Sequence, residues 1–259
     1  MAGIWVTGDL HGTVDIRKFN KQNLGDKFDF SGPKDENFMI ICGDFGLVWD
    51  WQGESKEEKY WLDWLNDRPY TVLFVDGNHE NYDRLLSDEY PIVEWNGGKV
   101  QKIRENVIHL MRGEIYSILG KTFWAFGGAS SHDIKDGILD PETDKALIKR
   151  WSRDEYCHKM FRINHRSWWK EEIASHDEMS YGIEKLAAND NAVDFIITHC
   201  APQEIASMMG YRGADDMTMY FNTIAHTVEF SNWFFGHYHQ DLRIMGKFYC
   251  LYDHILQIA

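Results

Sequence analysis

The chain has 259 residues, 44% hydrophobic and 15% aromatic, with a formal net charge of −14. This length and apolar content fit one large α/β domain with a sizeable core. The acidic average surface argues against a long polyanion as partner, because counterion-release binding needs a basic face; an acidic protein that handles phosphate needs a metal or clustered arginines to offset its own field.

Five short apolar runs punctuate the chain: IWVT (4–7), FMIIC (38–42), TVLFV (71–75), DFIIT (194–198) and WFFG (233–236). Rich in β-branched and aromatic residues and bounded by Gly or polar residues, they read as buried strands. Between them, EEKYWLDWLND (57–67) puts Tyr60, Trp61, Trp64 and Leu65 on one helical face, and 80–89 and 202–209 also read as helices. From 107 to 127 the runs VIHLM, EIYSIL and KTFWAF, separated by Arg112-Gly113 and Gly120-Lys121, predict a meander of antiparallel strands. Residues 130–192 are polar and contain Trp151, Trp168 and Trp169. Within them SWWKEEIAS (167–175) and MSYGIEKLAAN (179–189) read as helices, the second capped by Ser175 or Asp177. The segment is expected to be a helical insertion over one face or a connecting helical layer. KFYCLYD (247–253) reads as a final strand. The mixture predicts an α/β fold of two packed sheets flanked by helices, in a single domain over 1–259.

Cys42, Cys157, Cys200 and Cys250 form no CxxC pair, and Cys42 and Cys200 sit in apolar runs, which predicts a reduced compartment without a disulfide framework. The start, MAGIWVTG, lacks a basic n-region and a long apolar stretch, and no segment approaches the roughly 20 apolar residues of a membrane helix, so a soluble, cytoplasmic protein with no membrane partner is expected.

Each of the five apolar runs leads into residues able to bind metal: Asp9 and His11, Asp44, Asn78 and His79, His199, and His237 and His239. Asp9 and His11 alone read better as a polar turn. In open α/β sheets, however, sites form outside the carboxyl ends of strands, so the five loops are expected to converge. The donor set holds carboxylate, amide and imidazole and no thiolate, which suits manganese, iron, cobalt or zinc. It offers too many ligands for one tetrahedral ion. Two ions about 3.5–4 Å apart are the usual arrangement for displacement at phosphorus, and seven side chains fill eight positions if one carboxylate bridges.

In order, GDLHG (8–12), GD (43–44), GNHE (77–80), TH (198–199) and GHYH (236–239) resemble the motifs of the calcineurin-like metallophosphoesterases. GDFG, the GGA at 127–129, SWW at 167–169 and LYD at 251–253 resemble, more loosely, a bacterial and phage branch of that family. The resemblance implies a four-layer α/β/β/α sandwich with two mixed β-sheets. It implies that Asp9, His11, Asp44 and His239 hold one ion, and that Asp44, Asn78, His199 and His237 hold the other. The ions would be transition metals, manganese foremost, with iron, zinc, cobalt or nickel as alternatives. It further implies a phosphate-ester substrate attacked by a hydroxide held on the metals, with Asp44 bridging and His79 off the metals as general acid or positive donor to the leaving oxygen.

The match departs from the GDxxDRG of many protein phosphatases: here GDFGLVW places Leu47 and Val48 where the second Asp and the Arg would stand. Asp50, Asp76 or Glu80 is then expected to orient His79, and Arg84, Arg150, Arg153, Arg166 or Arg212 to hold phosphate. The missing Arg tilts the expected substrate toward phosphodiesters or small nucleotides and away from phosphoproteins. A nuclease would need a basic groove, which only 130–192 could supply. A non-catalytic metal-binding scaffold is the reading from another class, and an oligomerisation arm formed by 130–192 a third. The other histidines read as surface or packed residues, with His132, beside Asp133 after GGASS, the one whose loop could face the site. Trp168 and Trp169 read as core.

Overall fold

The computed structural model describes residues 2–25, 28–154 and 158–259; Cys157 lies outside them. All five apolar runs are strands. β1 (Gly3–Thr7), β2 (Asn37–Ile41), β3 (Thr71–Phe74) and β6 (Val107–Leu110) pair in parallel. This sheet is extended on one side by the antiparallel hairpin β4 (Ile92–Trp95) and β5 (Gly98–Arg104), and on the other by β15 (Ile255–Gln257) against β1. The second sheet has the order β13-β14-β12-β11-β8-β7. Its parallel centre is β14 (Phe248–Cys250), β12 (Glu229–Phe235), β11 (Ala192–Thr198) and β8 (Lys121–Phe126), with β13 (Leu242–Ile244) and β7 (Ile115–Ile118) antiparallel at its edges.

Strand alternation builds the layers. Ile4, Val6, Ile40 and Leu73 of the first sheet meet Phe123, Ala125, Ile197 and Phe234 of the second in one buried cluster between the sheets. Trp5, Met39, Ile41 and Phe74 point the other way and are covered by Leu62 and Leu65 of α2 (Lys56–Asn66) together with Phe19 and Leu24, the latter in α1 (Lys21–Leu24). On the far face Trp124, Ile196 and Trp233 pack under α5 (His176–Ala188), α6 (Gln203–Met208) and α7 (Asp216–Thr227). The result is the expected helix–sheet–sheet–helix sandwich. Both long helices read from sequence begin at reciprocal caps: Ser55 with Glu58 opens α2, and Ser175 with Glu178 opens α5.

The structure corrects several sequence expectations. The meander is broken: β6 belongs to the first sheet, while β7 and β8 form a hairpin in the second, so the chain changes sheets at 111–114. The helix expected over 80–89 shrinks to α3 (Tyr82–Leu85), and the final strand to Phe248–Cys250. SWWKEEIAS is not a helix. Asn164 bridges to Trp168, and only Lys170–Glu172 makes a 3-10 turn, because Ile163 O accepts from Arg166, Ser167 and Trp168 and tightens the chain into a loop. Segment 130–192 is thus only partly helical. It also contains a two-stranded parallel ribbon of β9 (Gly137–Leu139) and β10 (Phe161–Ile163), joined by a connection that includes α4 (Lys145–Arg153). α5 itself belongs to the outer layer of the sandwich.

Candidate metal centre

The carboxyl ends of β1, β2, β3, β11 and β12 lie along one edge, and the loops that follow them meet at the seam between the two sheets. Asp9 is fully buried and Asp44 is 2% exposed. Among the described residues no Lys or Arg pairs with either carboxylate within 4.0 Å, although Lys18 binds the Asp9 carbonyl and feels its charge; the paired partners are histidines. His239 Nε2 lies 3.2 Å from Asp9 Oδ2, and His11 Nε2 lies 3.9 Å from the same oxygen. Asp44 reaches two ways: Oδ2 is 3.3 Å from His11 Nε2, and Oδ1 is 3.1 Å from His199 Nε2. Asn78 Oδ1 is 3.2 Å from that same His199 nitrogen. The ring of His237 packs 4.9 Å from His199, and its backbone N–H donates to Asp9 Oδ1 at 2.9 Å. Six of the seven ligand candidates thus meet by side-chain polar atoms, and His237 joins them through its ring and backbone.

Outer contacts aim the imidazoles. His11 Nδ1 faces Asp15 Oδ2 at 2.8 Å, and His199 Nδ1 faces the Cys42 carbonyl at 2.8 Å, which leaves each Nε2 turned to the carboxylates. His239 stacks on Tyr252 of the LYD segment. The backbone is bent to suit: His11, Asp44, His237 and His239 all have positive φ, between 45° and 66°. Strain of this kind, of order ~1–3 kcal/mol per residue, persists at functional sites when surrounding bonds over-determine it; Asp44 O accepts both Leu10 N and His11 N here. Two motif glycines make room for the acids. A Cβ on Gly236 would lie 1.9 Å from Asp9 Oδ1, and one on Gly77 would lie 2.2 Å from Asp44 Oδ1.

The electrostatics fit bound cations. Burial opposes charge on His199 and His11, yet Asp44 and Asp9 lift them to about 10 and about 9. Burial also opposes ionisation of Asp44, but the imidazoles of His199 and His11 hold its carboxyl well below the usual range. Without metal, protons on imidazole supply the positive charge that the two carboxylates demand. Cations would supply it instead, and the donor atoms are placed for them: those of Asp9, His11 and His239, and those of His11, Asp44 and His79, each lie within 4.8 Å of one another.

The family model for calcineurin-like phosphoesterases matches residues 2–241. The chain belongs to the calcineurin-like phosphoesterase family. It is therefore a metal-dependent phosphoester hydrolase. A comparison with curated proteins gives no significant match.

Around the donor set this phosphoesterase departs from its sequence expectations. None of the three acids expected to orient His79 does so. Glu80 accepts the backbone N–H groups of Phe45, Gly46 and Gly77 and pins two site loops together; burial, then Asp44, pushes it up to about 8 against the Gly77 bond and the His199 charge. Asp76 holds Arg112, His109 and Tyr82, and Asp50 caps its own turn at Gln52. His79 is instead stacked on Trp49 and receives a hydrogen bond at Nε2 from Arg162 Nη2 at 2.9 Å. Burial, with Arg162 and His11 adding to it against Asp44, takes His79 down to about 4.

Of the arginines expected to hold phosphate, Arg166 borders the centre, and no contact among the described residues brings the others to it. Arg84 is tied to Glu58, Glu89 and Tyr90. Arg166 covers Trp51 and lines, with His11 and Trp49, a groove of about 390 Å³ leading from the centre. Arg150, Arg153 and Arg212 are exposed. Sequence reading missed Arg162 because nothing in FRIN marks it. The available signal was its alternation in a short strand, which turns Arg162 inward between two partly exposed apolar neighbours. His132 does reach the cluster, its ring 4.6 Å from that of His237.

Proposed function

We propose that this protein hydrolyses small phosphoesters at a dinuclear transition-metal centre, with manganese the foremost metal. The observation that carries this reading is Asp44: one buried carboxylate whose two oxygens face separate imidazole groups, as a bridging ligand would. Asp9, His11, Asp44 and His239 would hold one ion, and Asp44, Asn78, His199 and His237 the other. Two cations there would offset the charge of phosphate oxygens and make a water acidic enough to serve as nucleophile. His79, although its donor atom lies within reach of His11 and Asp44, is assigned off the metals because its Nε2 lone pair is engaged by Arg162. It could donate a proton to the leaving oxygen only after Arg162 has left that nitrogen and Nε2 has taken up a proton from solvent. Trp49 holds the imidazole plane meanwhile.

The proposal treats 1–259 as one domain, with the β9–β10 ribbon of segment 130–192 as a cover at the His79 side of the centre. It places the protein in the cytoplasm. Cys42, Cys200 and Cys250 are free and buried, as a reducing compartment favours, and among the described residues no helix is long and apolar enough to cross a membrane. The sequence tilt toward diesters rested on the missing GDxxDRG arginine, and Arg162 removes that ground, so monoesters and diesters both enter the test.

The test compares p-nitrophenyl phosphate with bis-p-nitrophenyl phosphate on manganese-loaded protein, with Asp44→Asn as the blank. Turnover in the wild type that disappears in Asp44→Asn together with bound metal is the expected result. Two tightly bound ions without turnover on either ester would make the protein a scaffold; turnover unchanged in Asp44→Asn would remove the bridging assignment.

A further inference from the structure

Arg162 is 5% exposed, and its guanidinium is nearly fully engaged. Nε donates to Asp133 Oδ1 at 2.7 Å, Nη1 to the carbonyls of Asn78 and Ser167 at 3.0 Å each, and Nη2 to His79 Nε2 at 2.9 Å. Two other arginines of this region, each with a side chain 7% exposed, are used differently. Arg112 puts two nitrogens on Asp76, and Arg84 puts two on Glu89 and a third on Glu58. A buried guanidinium ordinarily seeks such forked carboxylate pairs. Arg162 has one carboxylate on one nitrogen, and that acid, Asp133, has a side chain 46% exposed. The Nη2 edge is given to an imidazole, an acceptor without formal charge and much weaker than an oxyanion.

That edge is also aimed at the chemistry. A single imidazole nitrogen separates it from the bridging carboxylate, since His79 Nε2 is 3.9 Å from Asp44 Oδ2. The arm that carries it is held from several sides. β10 pairs with β9, Ser167 Oγ accepts Ile163 N, and Trp169 Nε1 and His165 Nδ1 both bind Asp83 of α3.

We infer that Arg162 is the residue that grips the phosphoryl group, exchanging His79 Nε2 for a phosphate oxygen when substrate arrives, and that it suits this centre to dianionic phosphate monoesters. The inference rests on the phosphoesterase reading above. It makes the β9–β10 ribbon the source of the anion clamp that GDFGLVW lacks. Arrival of the phosphate frees His79 Nε2 from the guanidinium, so substrate binding and release of that nitrogen become one event.

The experiment uses Arg162→Lys, Arg162→Gln and Asp133→Asn in the full chain. Bound manganese is measured first, then inorganic phosphate affinity by calorimetry, then the monoester-to-diester ratio of kcat/KM. A charge-assisted forked contact predicts that Arg162→Gln keeps its metal, loses about tenfold to hundredfold in phosphate affinity, and loses a similar factor in the ratio. Arg162→Lys retains part of both. Asp133→Asn, which removes the competing carboxylate, binds phosphate more tightly. In metal-free protein, ¹⁵N shifts of His79 report a proton on Nδ1 in the wild type and a mixture of tautomers in Arg162→Gln. Unchanged phosphate affinity with intact metal content would make Arg162 a structural brace and overturn the inference, as would loss of metal from both Arg162 variants. Absence of turnover in the wild type would instead strike the phosphoesterase reading, while phosphate affinity would still judge Arg162.

Discussion

Gly77 and Gly236 stand against the two buried carboxylates, and what they lack matters more than their flexibility. A methyl at either position would sit well inside van der Waals contact with Asp44 or Asp9. Gly236→Ala and Gly77→Ala are expected to fold and to lose most bound metal, as read by elemental analysis of the purified variants. Asp76 presents the opposite case, a residue of the same loop whose work is structural. It is the main charged partner of Arg112, and burial of the pair works against an Asp whose carboxyl the guanidinium nonetheless holds far below its usual range. Asp76→Asn leaves that guanidinium buried and poorly paired, so urea unfolding should show a loss of about 3–5 kcal/mol. His79→Ala should keep its metal and slow esters of basic leaving groups more than those of acidic ones, which a series of substituted phenyl phosphates would display. Equal losses across the series would assign His79 a purely electrostatic part.

Elements announced by periodicity and caps were legible in the sequence, and elements made by tertiary contact were not. The five strands of the apolar runs are continuously apolar because both their faces are buried, and α5 is marked by Ser175; the structure adds the Ser55–Glu58 cap of α2. Ser55→Ala should therefore cost about 1 kcal/mol, read as a lowered thermal midpoint. SWWKEEIAS, by contrast, has helical spacing but is held as a loop from outside. Trp169 donates to Asp83 and packs against Trp49, while Glu172 accepts both the N–H and the hydroxyl of Ser131. No local signal in those residues foretells partners 41 or 86 positions away. The same blindness hid Arg162. The motif residues of the centre were readable because each follows a strand by one to four residues, whereas the arginine inferred to complete it comes from a three-residue strand with no motif of its own. Glu172→Ala should release the loop bearing His132, with faster hydrogen exchange at 129–133.

At the scale of the whole molecule, the centre is a fastening between two sheets: Asp9, Asp44 and Asn78 come from one, and His199, His237 and His239 from the other. Without metal this fastening is made by protons. His199 and His11 are raised to about 10 and about 9, above an ordinary 6.5, so their contribution to stability is complete below pH 6.5 and is lost as the pH climbs through those values. Chelated protein should accordingly lose urea resistance across that window, and metal-loaded protein should not. Loading near neutral pH should expel protons, visible with an indicator dye in weak buffer. Metal at a hundred times its dissociation constant should add about 2.7 kcal/mol of stability. The order in which this stability is acquired follows from the wiring of the site. His239 meets an aspartate 230 positions earlier in the chain, across two sheets whose central strands must already be paired. Because it is set on top of both sheets, this contact is expected to close after the barrier to folding has been crossed. The ions then act as a latch rather than a nucleus: stopped-flow traces should show refolding at the same speed with or without chelator, and unfolding many times faster when the latch is removed.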